Sequence, residues 1–136
     1  MLVARGAQEK AKELEISVSI SIVDDAGRLI LLMRGDDTGY LTTETSQGKA
    51  RAAAAFRRST KSIVEENASG NSLFWQSLAG FSAELLPSTG AVPIIEDGEY
   101  IGAIGCGGGT AEQDHLCAES GAQKLKCLKP EFAVCQ

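Results

Sequence analysis

One segment of the chain alternates apolar and hydroxyl side chains without a break. From Ile16 to Ile22 it reads Ile-Ser-Val-Ser-Ile-Ser-Ile, with a β-branched apolar residue at every second position. Because successive side chains of a strand point to opposite faces, this order places the apolar side chains on one face and the serines on the other. The segment therefore predicts a strand whose apolar face lies on a core.

Turn residues predict two hairpins. Asp24-Asp25-Ala26-Gly27 separates this first strand from a second apolar run, Leu29–Met33, which is the spacing and chemistry of a turn between paired strands. Asp97-Gly98 separates Val92–Ile95 from Tyr100–Cys106, and an Asp-Gly pair between apolar runs is a strong hairpin signal. Both pairs of strands are expected to be antiparallel.

Helical segments accompany these hairpins. The opening stretch through Leu14 is rich in Ala, Glu, Lys and Gln and predicts a surface helix. A second helix is predicted from Thr42 to Thr60, where an alanine run has high helix propensity. A third is predicted from about Ala111 to Leu125, because Thr110 and Gln113 have the spacing of a capping box.

The segment between the second helix and the second hairpin is less regular. Asn67–Asn71 resembles a loop, Leu73–Leu78 a short helical turn and Phe81–Leu86 a further strand. We therefore predict an α+β fold with an antiparallel sheet of about five strands and flanking helices. The length of 136 residues suits a single domain over residues 1–136, with the tail Lys129–Gln136 loosely held.

The charge balance argues against two classes of partner. Thirteen basic and 18 acidic residues give a net charge of -5, which does not suit a nucleic-acid surface or an anionic membrane. The basic cluster lies mostly on the second predicted helix and is interpreted as a solvated face; it comprises Lys49, Arg51, Arg57, Arg58 and Lys61. No apolar run approaches the roughly 18 residues of a membrane span, and residues 1–10 lack the apolar core of a signal peptide. We expect a cytoplasmic protein.

The cysteines do not form a metal-binding pattern. Cys106, Cys117, Cys127 and Cys135 contain no Cys-x-x-Cys pair, and His115 is the one histidine in the sequence. A structural zinc site needs four clustered Cys or His ligands, so no metal site is expected. Free thiols in a reducing compartment are the simpler interpretation.

Glycines concentrate at the end of the last predicted strand. Gly102, Gly105 and Gly107–Gly109 lie there, just before the last helix, and glycine in a strand usually serves a bulge or a close approach to the backbone. Two interpretations remain open. A small ligand could bind the exposed N–H groups beside the positive helix end, or a helix could pack closely on the strand. A phosphate-binding P-loop is excluded, because no Gly-Lys-Ser/Thr follows.

Several polar side chains are candidates for chemistry near this junction. His115 could act as an acid, a base or a metal ligand, and the thiol of Cys106 precedes a helix N-terminus, where its pKa could be lowered. In a catalytic site, Lys49 or Arg34 would hold an anion while Asp114, His115 or Cys106 moved a proton. Exposed or core positions are the alternative for each of them.

Segments along nearly the whole chain occur in the order of a known family. They are Ile16–Asp24, then Gly27, Leu29 and Arg34, then Gly48–Ala53, Gly90–Ile94, Gly98–Gly105, and Gln113-Asp114 with Gly121. In this combination the chain resembles the GlcG/HbpS family, the haem-degrading-type domain also found at the C-terminal end of PduO. The resemblance implies a profilin-like fold, homo-oligomers from dimers to octamers, and binding of haem or a related tetrapyrrole in some members.

The resemblance also implies a set of pocket residues. Carried over by position, they are Lys49, the loop Gly105–Gly109, Gln113 and Asp114. The predicted cofactor-binding set is Arg34, Gly105, Cys106, Gly107, Gly108 and Gln113, and the predicted catalytic set is Lys49, Asp114 and His115. The N-terminal helix has no histidine to match the axial ligand of the PduO-type domain. A haem iron would have to use His115, Cys106, Met33 or Tyr40.

Three functions are compatible with these residues. The first is a homo-oligomeric small-ligand-binding domain, with haem or a related tetrapyrrole at the Gly105–Gly109 junction. The second is a cofactor-independent lyase, isomerase or hydrolase that acts on a small carbonyl or carboxylate compound. The third is a structural assembly module without a ligand.

Overall fold

A computed structural model describes residues 1–69, 72–81 and 84–125. The elements, in chain order, are α1 (Leu2–Glu13), β1 (Ser19–Asp24), β2 (Leu29–Met33), α2 (Leu41–Phe56), α3 (Thr60–Glu66), α4 (Ser72–Ala79), β3 (Ala91–Glu96), β4 (Glu99–Gly107) and α5 (Ala111–Gln123). The strands form an antiparallel sheet in the order β2-β1-β4-β3. The predicted α+β class with an antiparallel sheet is confirmed, and the described residues contribute four strands to the sheet rather than about five.

The two hairpins form where the turn residues predicted them. In the first turn the carboxylate of Asp24 accepts hydrogen bonds from the N–H groups of Ala26 and Arg28, each at 2.9 Å. In the second turn Asp97 and Gly98 have φ angles of 52° and 79°, and two positive φ angles are what a type I′ hairpin turn requires. Local turn chemistry was therefore sufficient to predict both connections.

The alternation in β1 separates the two faces of the sheet. Ile20 and Ile22 lie on one face, where they pack with residues of α1 and α5 in the larger core cluster. Helices α1 and α5 cross closely, since a Cβ atom on Gly121 would lie 2.6 Å from the carbonyl oxygen of Val3. The first helix is thus more than the surface helix predicted, because it buries Val3 and three alanines (Ala4, Ala7 and Ala11).

The serines of β1 lie on the opposite face, which α2 covers. Their hydroxyl groups are buried and hydrogen-bonded: Ser21 Oγ lies 2.8 Å from Ser46 Oγ, and Ser19 Oγ lies 2.7 Å from Thr42 Oγ1. Buried hydroxyl groups need such partners. The sheet is consequently covered on both faces.

The helix predicted from Thr42 to Thr60 is two helices. Helix α2 ends at Phe56, because Arg57 adopts a left-handed conformation (φ 55°), and Ser59 then caps α3 by accepting a hydrogen bond from the N–H of Ser62. The solvated interpretation of the basic cluster is wrong for Lys49, which is 7% exposed. Lys49 lies on the buried stripe of α2, three residues after Ser46.

The strand predicted over Phe81–Leu86 is not found in its described part, since Phe81 and residues 84–86 are irregular. Leu73–Leu78, predicted as a helical turn, belongs to α4. The tail Lys129–Gln136 lies outside the described residues. Within the described residues, no helix combines the length and the apolar character needed to cross a bilayer.

Candidate functional site

Helix α2 lies directly on the glycines of β4. A Cβ atom on Gly105 would be 2.3 Å from the carbonyl oxygen of Ser46 and 2.8 Å from the backbone nitrogen of Ala50. On Gly107 it would lie 2.9 Å from Thr45 Oγ1. Both glycines therefore permit close helix packing, which is the second of the two interpretations of the cluster. Gly108 is exposed and Gly109 half-buried, so the loop reaches the surface only there.

Two predicted catalytic residues form a buried ion pair. Lys49 Nζ lies 3.1 Å from Asp114 Oδ2 and donates a second hydrogen bond, of 3.0 Å, to the carbonyl oxygen of Cys106. The other carboxylate oxygen of Asp114 accepts from the N–H of Gly109 at 2.9 Å. The side chains are 9% and 4% exposed. The pair joins α2 to α5 across the end of the sheet.

Burial has the largest effect on the pKa of Asp114 in this pair. Burial raises the pKa of the Asp114 carboxyl, although the Lys49 ammonium and the Gly109 N–H act in the opposite direction. Removal of either partner would leave an uncompensated buried charge, which is strongly destabilising. The ion pair is a structural contact: Lys49 and Asp114 are hydrogen-bonded to each other and to backbone groups of Cys106 and Gly109.

The sequence analysis missed two residues that enclose the ion pair. Gly90 has a φ of 142°, and a Cβ atom on it would lie 2.9 Å from Lys49 Nζ. The hydroxyl oxygen of Thr60 accepts hydrogen bonds from the N–H groups of Gly90 and Ala91, each at 3.0 Å. A glycine two residues before the predicted strand Val92–Ile95 was the available signal for the first. The role of Thr60 had no signal, because its partners lie 30 and 31 residues away along the chain.

The remaining predicted residues near the last helix have structural partners or are buried. Gln113 completes the predicted capping box, since its Oε1 accepts from the N–H of Thr110 at 2.9 Å. Burial raises the pKa of the Cys106 thiol well above its usual range. His115 is buried, with Nε2 at 3.3 Å from the carboxylate of Glu119. Its Nδ1 has no hydrogen-bond partner among the described residues.

Arg34 lies at a separate place, a groove of about 310 Å³ between α1, the start of β1 and the end of β2. The half-buried Ile16 and Met33 contribute apolar surface to the groove, and Lys12, Arg34 and Asp36 are its charged lining residues. The Arg34 guanidinium donates a 2.8 Å hydrogen bond to the carbonyl oxygen of Thr38. The groove therefore combines apolar and polar surface, and two of its three charged residues are basic.

This groove adjoins the predicted glycine loop. A Cβ atom on Gly108 would lie 2.8 Å from the carbonyl oxygen of Ser17, and one on Gly109 would lie 3.0 Å from Ile16 Cδ1. Ser17 and Ile16 both line the groove. The loop and the groove thus share a wall.

The four candidate iron ligands are dispersed. Met33 is half-buried and lines the groove, whereas Tyr40 is 74% exposed just before α2. Cys106 is completely buried, and His115 is 8% exposed. Met33 and Arg34 are adjacent in sequence, so the groove brings together one candidate ligand and one predicted cofactor-binding residue.

Two other grooves contain none of the predicted site residues. One, of about 500 Å³, lies between α2 and residues 84–86, where Arg51 Nη1 is 3.4 Å from the Glu84 carboxylate. Another, of about 370 Å³, is lined by the aromatic rings of Phe56 in α2, Phe74 in α4 and Phe81, two residues after α4. Within the described part of the chain, no group of three or more His, Cys, Asp or Glu residues is placed to bind a metal ion.

Comparisons with known proteins place the chain among similar sequences and folds. A family model described as "Haem degrading protein HbpS-like" matches residues 2–123. Protein GlcG of Escherichia coli K12 is 42% identical over 105 residues, which cover 76% of this chain and 73% of GlcG.

Solved structures agree with this match. The crystal structure of Klebsiella pneumoniae protein ORFY has a TM-score of 0.83 at 30% identity and covers 94% of this chain and 88% of that one. The crystal structure of a PduOC–haem complex has a TM-score of 0.79 at 27% identity, covering 90% of this chain and 88% of that one.

Proposed function

This chain belongs to the family of haem-degrading HbpS-like proteins, and on that premise we propose that it is a homo-oligomeric domain that binds a small ligand, haem or a related tetrapyrrole. The observation that carries the proposal is the solved haem complex of PduOC, whose fold is similar over 90% of this chain. Within this chain, the groove lined by Met33 and Arg34 supports the proposal.

The chemistry of the groove fits such a ligand. Haem is a flat apolar ring that carries two carboxylates on one edge. The half-buried side chains of Ile16 and Met33 would contact the ring, and the Lys12 and Arg34 cations would pair with the carboxylates. Charge-assisted hydrogen bonds from a guanidinium are among the strongest available for a carboxylate. Apolar surface with a few placed polar groups is the usual composition of a cofactor site.

Met33 is the residue that we propose faces the iron. A thioether is an established axial ligand of haem iron, and Met33 is the only one of the four candidate ligands that lines this groove. When bound, haem supplies an iron centre whose reactivity is set by its axial ligand and by access of solvent. The chain's own part is to hold the ring, to pair its carboxylates and to cover one of its faces.

Of the predicted ligand-binding junction Gly105–Gly109, only Gly108 and Gly109 belong to the site proposed here. Gly108 and Gly109 would support the wall of the groove behind Ser17 and Ile16, whereas Gly105 and Gly107 are used for packing against α2. The alternative of a cofactor-independent enzyme receives no support from a specific contact, since Lys49 and Asp114 are hydrogen-bonded to each other and to the main chain.

Titration with hemin, followed at the Soret band, tests the proposal. The wild-type protein should give a saturable shift at one hemin per chain. Arg34→Ala should weaken binding by about tenfold, the effect of losing one charge-assisted hydrogen bond. Met33→Leu should retain binding but change the Soret position, because the sulfur is lost while the apolar volume is kept.

Arg57→Ala is the matched control, because Arg57 is an exposed arginine that stacks on Tyr100, 5.4 Å from the ring centroid, and does not line the groove. Its hemin affinity should equal that of the wild type. Absence of a saturable shift in the wild type would refute haem binding. Equal weakening by Arg34→Ala and Arg57→Ala would refute the groove as the site.

A further inference from the structure

The two edges of the sheet differ in how they are protected. The β3 edge carries Pro93, which cannot donate to another strand, and ends at Glu96. The other edge is β2, whose sequence Leu-Ile-Leu-Leu-Met contains neither proline nor charge. Natural proteins usually protect an edge strand with proline, charge or a covering element. Only β3 has such protection within the strand.

The side chains of β2 are exposed as well as its backbone edge. Leu29, Ile30 and Leu32 are 43%, 65% and 40% exposed. Within the described residues, β2 pairs with β1 and with no other strand. An apolar edge strand with unpaired N–H and C=O groups is a template for pairing with another strand. In the part of the chain that the structure describes, β2 is therefore an edge that a further strand would complete.

The sequence around β2 indicates which strand that is. Residues 28–34 read Arg-Leu-Ile-Leu-Leu-Met-Arg, five apolar residues between two arginines, so the pattern of apolar and charged residues is the same in both directions. A two-fold axis at Leu31 would place apolar residues of one copy opposite apolar residues of the other. A two-fold interface is made from the same patch on both subunits, and paired edge strands related by such an axis are antiparallel.

We infer that β2 pairs antiparallel with β2 of a second copy of this chain, about a two-fold axis at Leu31. The two four-stranded sheets then become one continuous sheet, and the exposed apolar side chains of β2 are partly covered. The inference specifies the surface by which the proposed oligomer assembles and does not depend on haem.

The pairing has a consequence for the proposed ligand site, and this part rests on the proposed function. Within one chain, Arg28 and Arg34 are six residues apart along an extended segment, about 20 Å. With the axis at Leu31, Arg28 of the partner subunit lies opposite Arg34. Opposed like charges are unfavourable, and a bound carboxylate near Arg34 would relieve them. Each groove would then gain a cation from the other subunit.

Light scattering during size-exclusion chromatography, without hemin, tests the pairing. The wild-type chain should elute as an even-numbered assembly, and Ile30→Lys should halve its mass. Leu32→Lys, on the same edge, should have the same effect. Leu73→Lys is the matched control, because Leu73 is 70% exposed on α4, and it should keep the wild-type mass. Circular dichroism confirms that each variant compared is folded.

A monomeric wild type, or a wild-type mass in folded Ile30→Lys and Leu32→Lys, would overturn the pairing. The register has its own test: Arg28→Ala should weaken hemin binding several-fold while the assembly stays intact, although Arg28 does not line the groove of its own chain. Unchanged affinity would overturn the axis at Leu31. If the wild type assembles through β2 but binds no hemin, the ligand proposal fails and the pairing stands.

Discussion

The two faces of the sheet hold their helices by different means. Towards α1 and α5 the strands present Ile20, Ile22, Ile104 and other apolar residues, which gain stability from the burial of apolar area. Towards α2 they present glycine, alanine and serine, so that backbone approaches backbone and hydroxyl groups pair across the interface. Packing on the apolar face depends on the volume of the buried side chains, whereas packing on the α2 face depends on close approach of the two backbones.

This difference decides where a ligand can fit. At the α2 face a Cβ atom on Gly105 would already be 2.3 Å from Ser46, so no space remains between helix and strand. At the edge of the apolar face, α1 and the ends of β1 and β2 leave a groove of about 310 Å³. The glycine-rich sequence thus marks the closed face, and the groove lies beside it.

The largest expected effect is at the α2 face. Gly105→Ala forces a Cβ atom against the backbone of α2, and we expect the free energy of unfolding to fall by about 4 kcal/mol or more. Gly39→Ala is the matched control, because a Cβ atom there would have no neighbour within 4 Å, and it should change stability by less than about 0.5 kcal/mol. Urea denaturation measures both. Similar small losses in both variants would show that α2 does not pack as closely as described.

A smaller loss is expected from the ion pair that joins the two layers of helices. Lys49→Met leaves the Asp114 carboxyl buried without its cation and should cost about 3–5 kcal/mol, of which adding Asp114→Leu should recover a large part. Lys61→Met is the control, since Lys61 and Glu112 form an exposed pair that solvent screens, and it should change stability far less than Lys49→Met. No recovery in the double variant would contradict a role limited to charge compensation.

The cost of Lys49→Met should also depend on pH. Burial raises the folded-state pKa of Asp114 above its usual 3.8, so the folded state prefers the neutral carboxyl. Stability from this group is present at acid pH and is lost as the pH rises through the folded-state pKa. Without Lys49 this loss should be larger, and the difference between variant and wild type should shrink on acidification. A difference that grows on acidification would contradict the sign.

The last prediction concerns the reactivity of the two cysteine thiols buried at the apolar face. Burial raises the pKa of Cys117 to about 11, so its thiol is protonated at pH 8, and Cys106 is buried in the same cluster. In a variant with Cys127→Ser and Cys135→Ser, labelling with a thiol reagent should be roughly a hundredfold slower in the native state than in urea. Rapid native labelling would indicate that this face opens readily.

Local patterns predicted most of the fold. The alternation around Ile20 and the Asp97-Gly98 turn each act within a few residues, and both were confirmed in the structure. The same alternation could not reveal that the serine face is covered, because a serine is equally satisfied by water or by another hydroxyl group. Ser46, the partner of Ser21, lies 25 residues along the chain.

The errors arose where distant contacts override local preference. Lys49 can be buried because it pairs with the carboxylate of Asp114, and this partner lies 65 residues away, beyond the reach of a local pattern. The end of α2 was missed because the left-handed position is occupied by Arg57 and not by a glycine. Residues 84–86 of the expected strand instead lie beside α2, where the N–H of Leu86 donates to the carbonyl oxygen of Gly48 at 3.1 Å. Of the residues that we propose hold the ligand, Arg34 and Met33 were named from the sequence and Lys12 was not, since an exposed helical lysine is unremarkable in sequence.

The central claim is that the ligand occupies the groove beside the apolar face and leaves the α2 face closed. Paramagnetic broadening of backbone amide signals by bound ferric haem, in a nitrogen-15 labelled sample, tests it in one spectrum. The account predicts that the signals of residues 16–18 and 33–36 are lost while those of residues 46–53 remain. Broadening centred on residues 46–53, or no broadening at a stoichiometric amount of hemin, would contradict it.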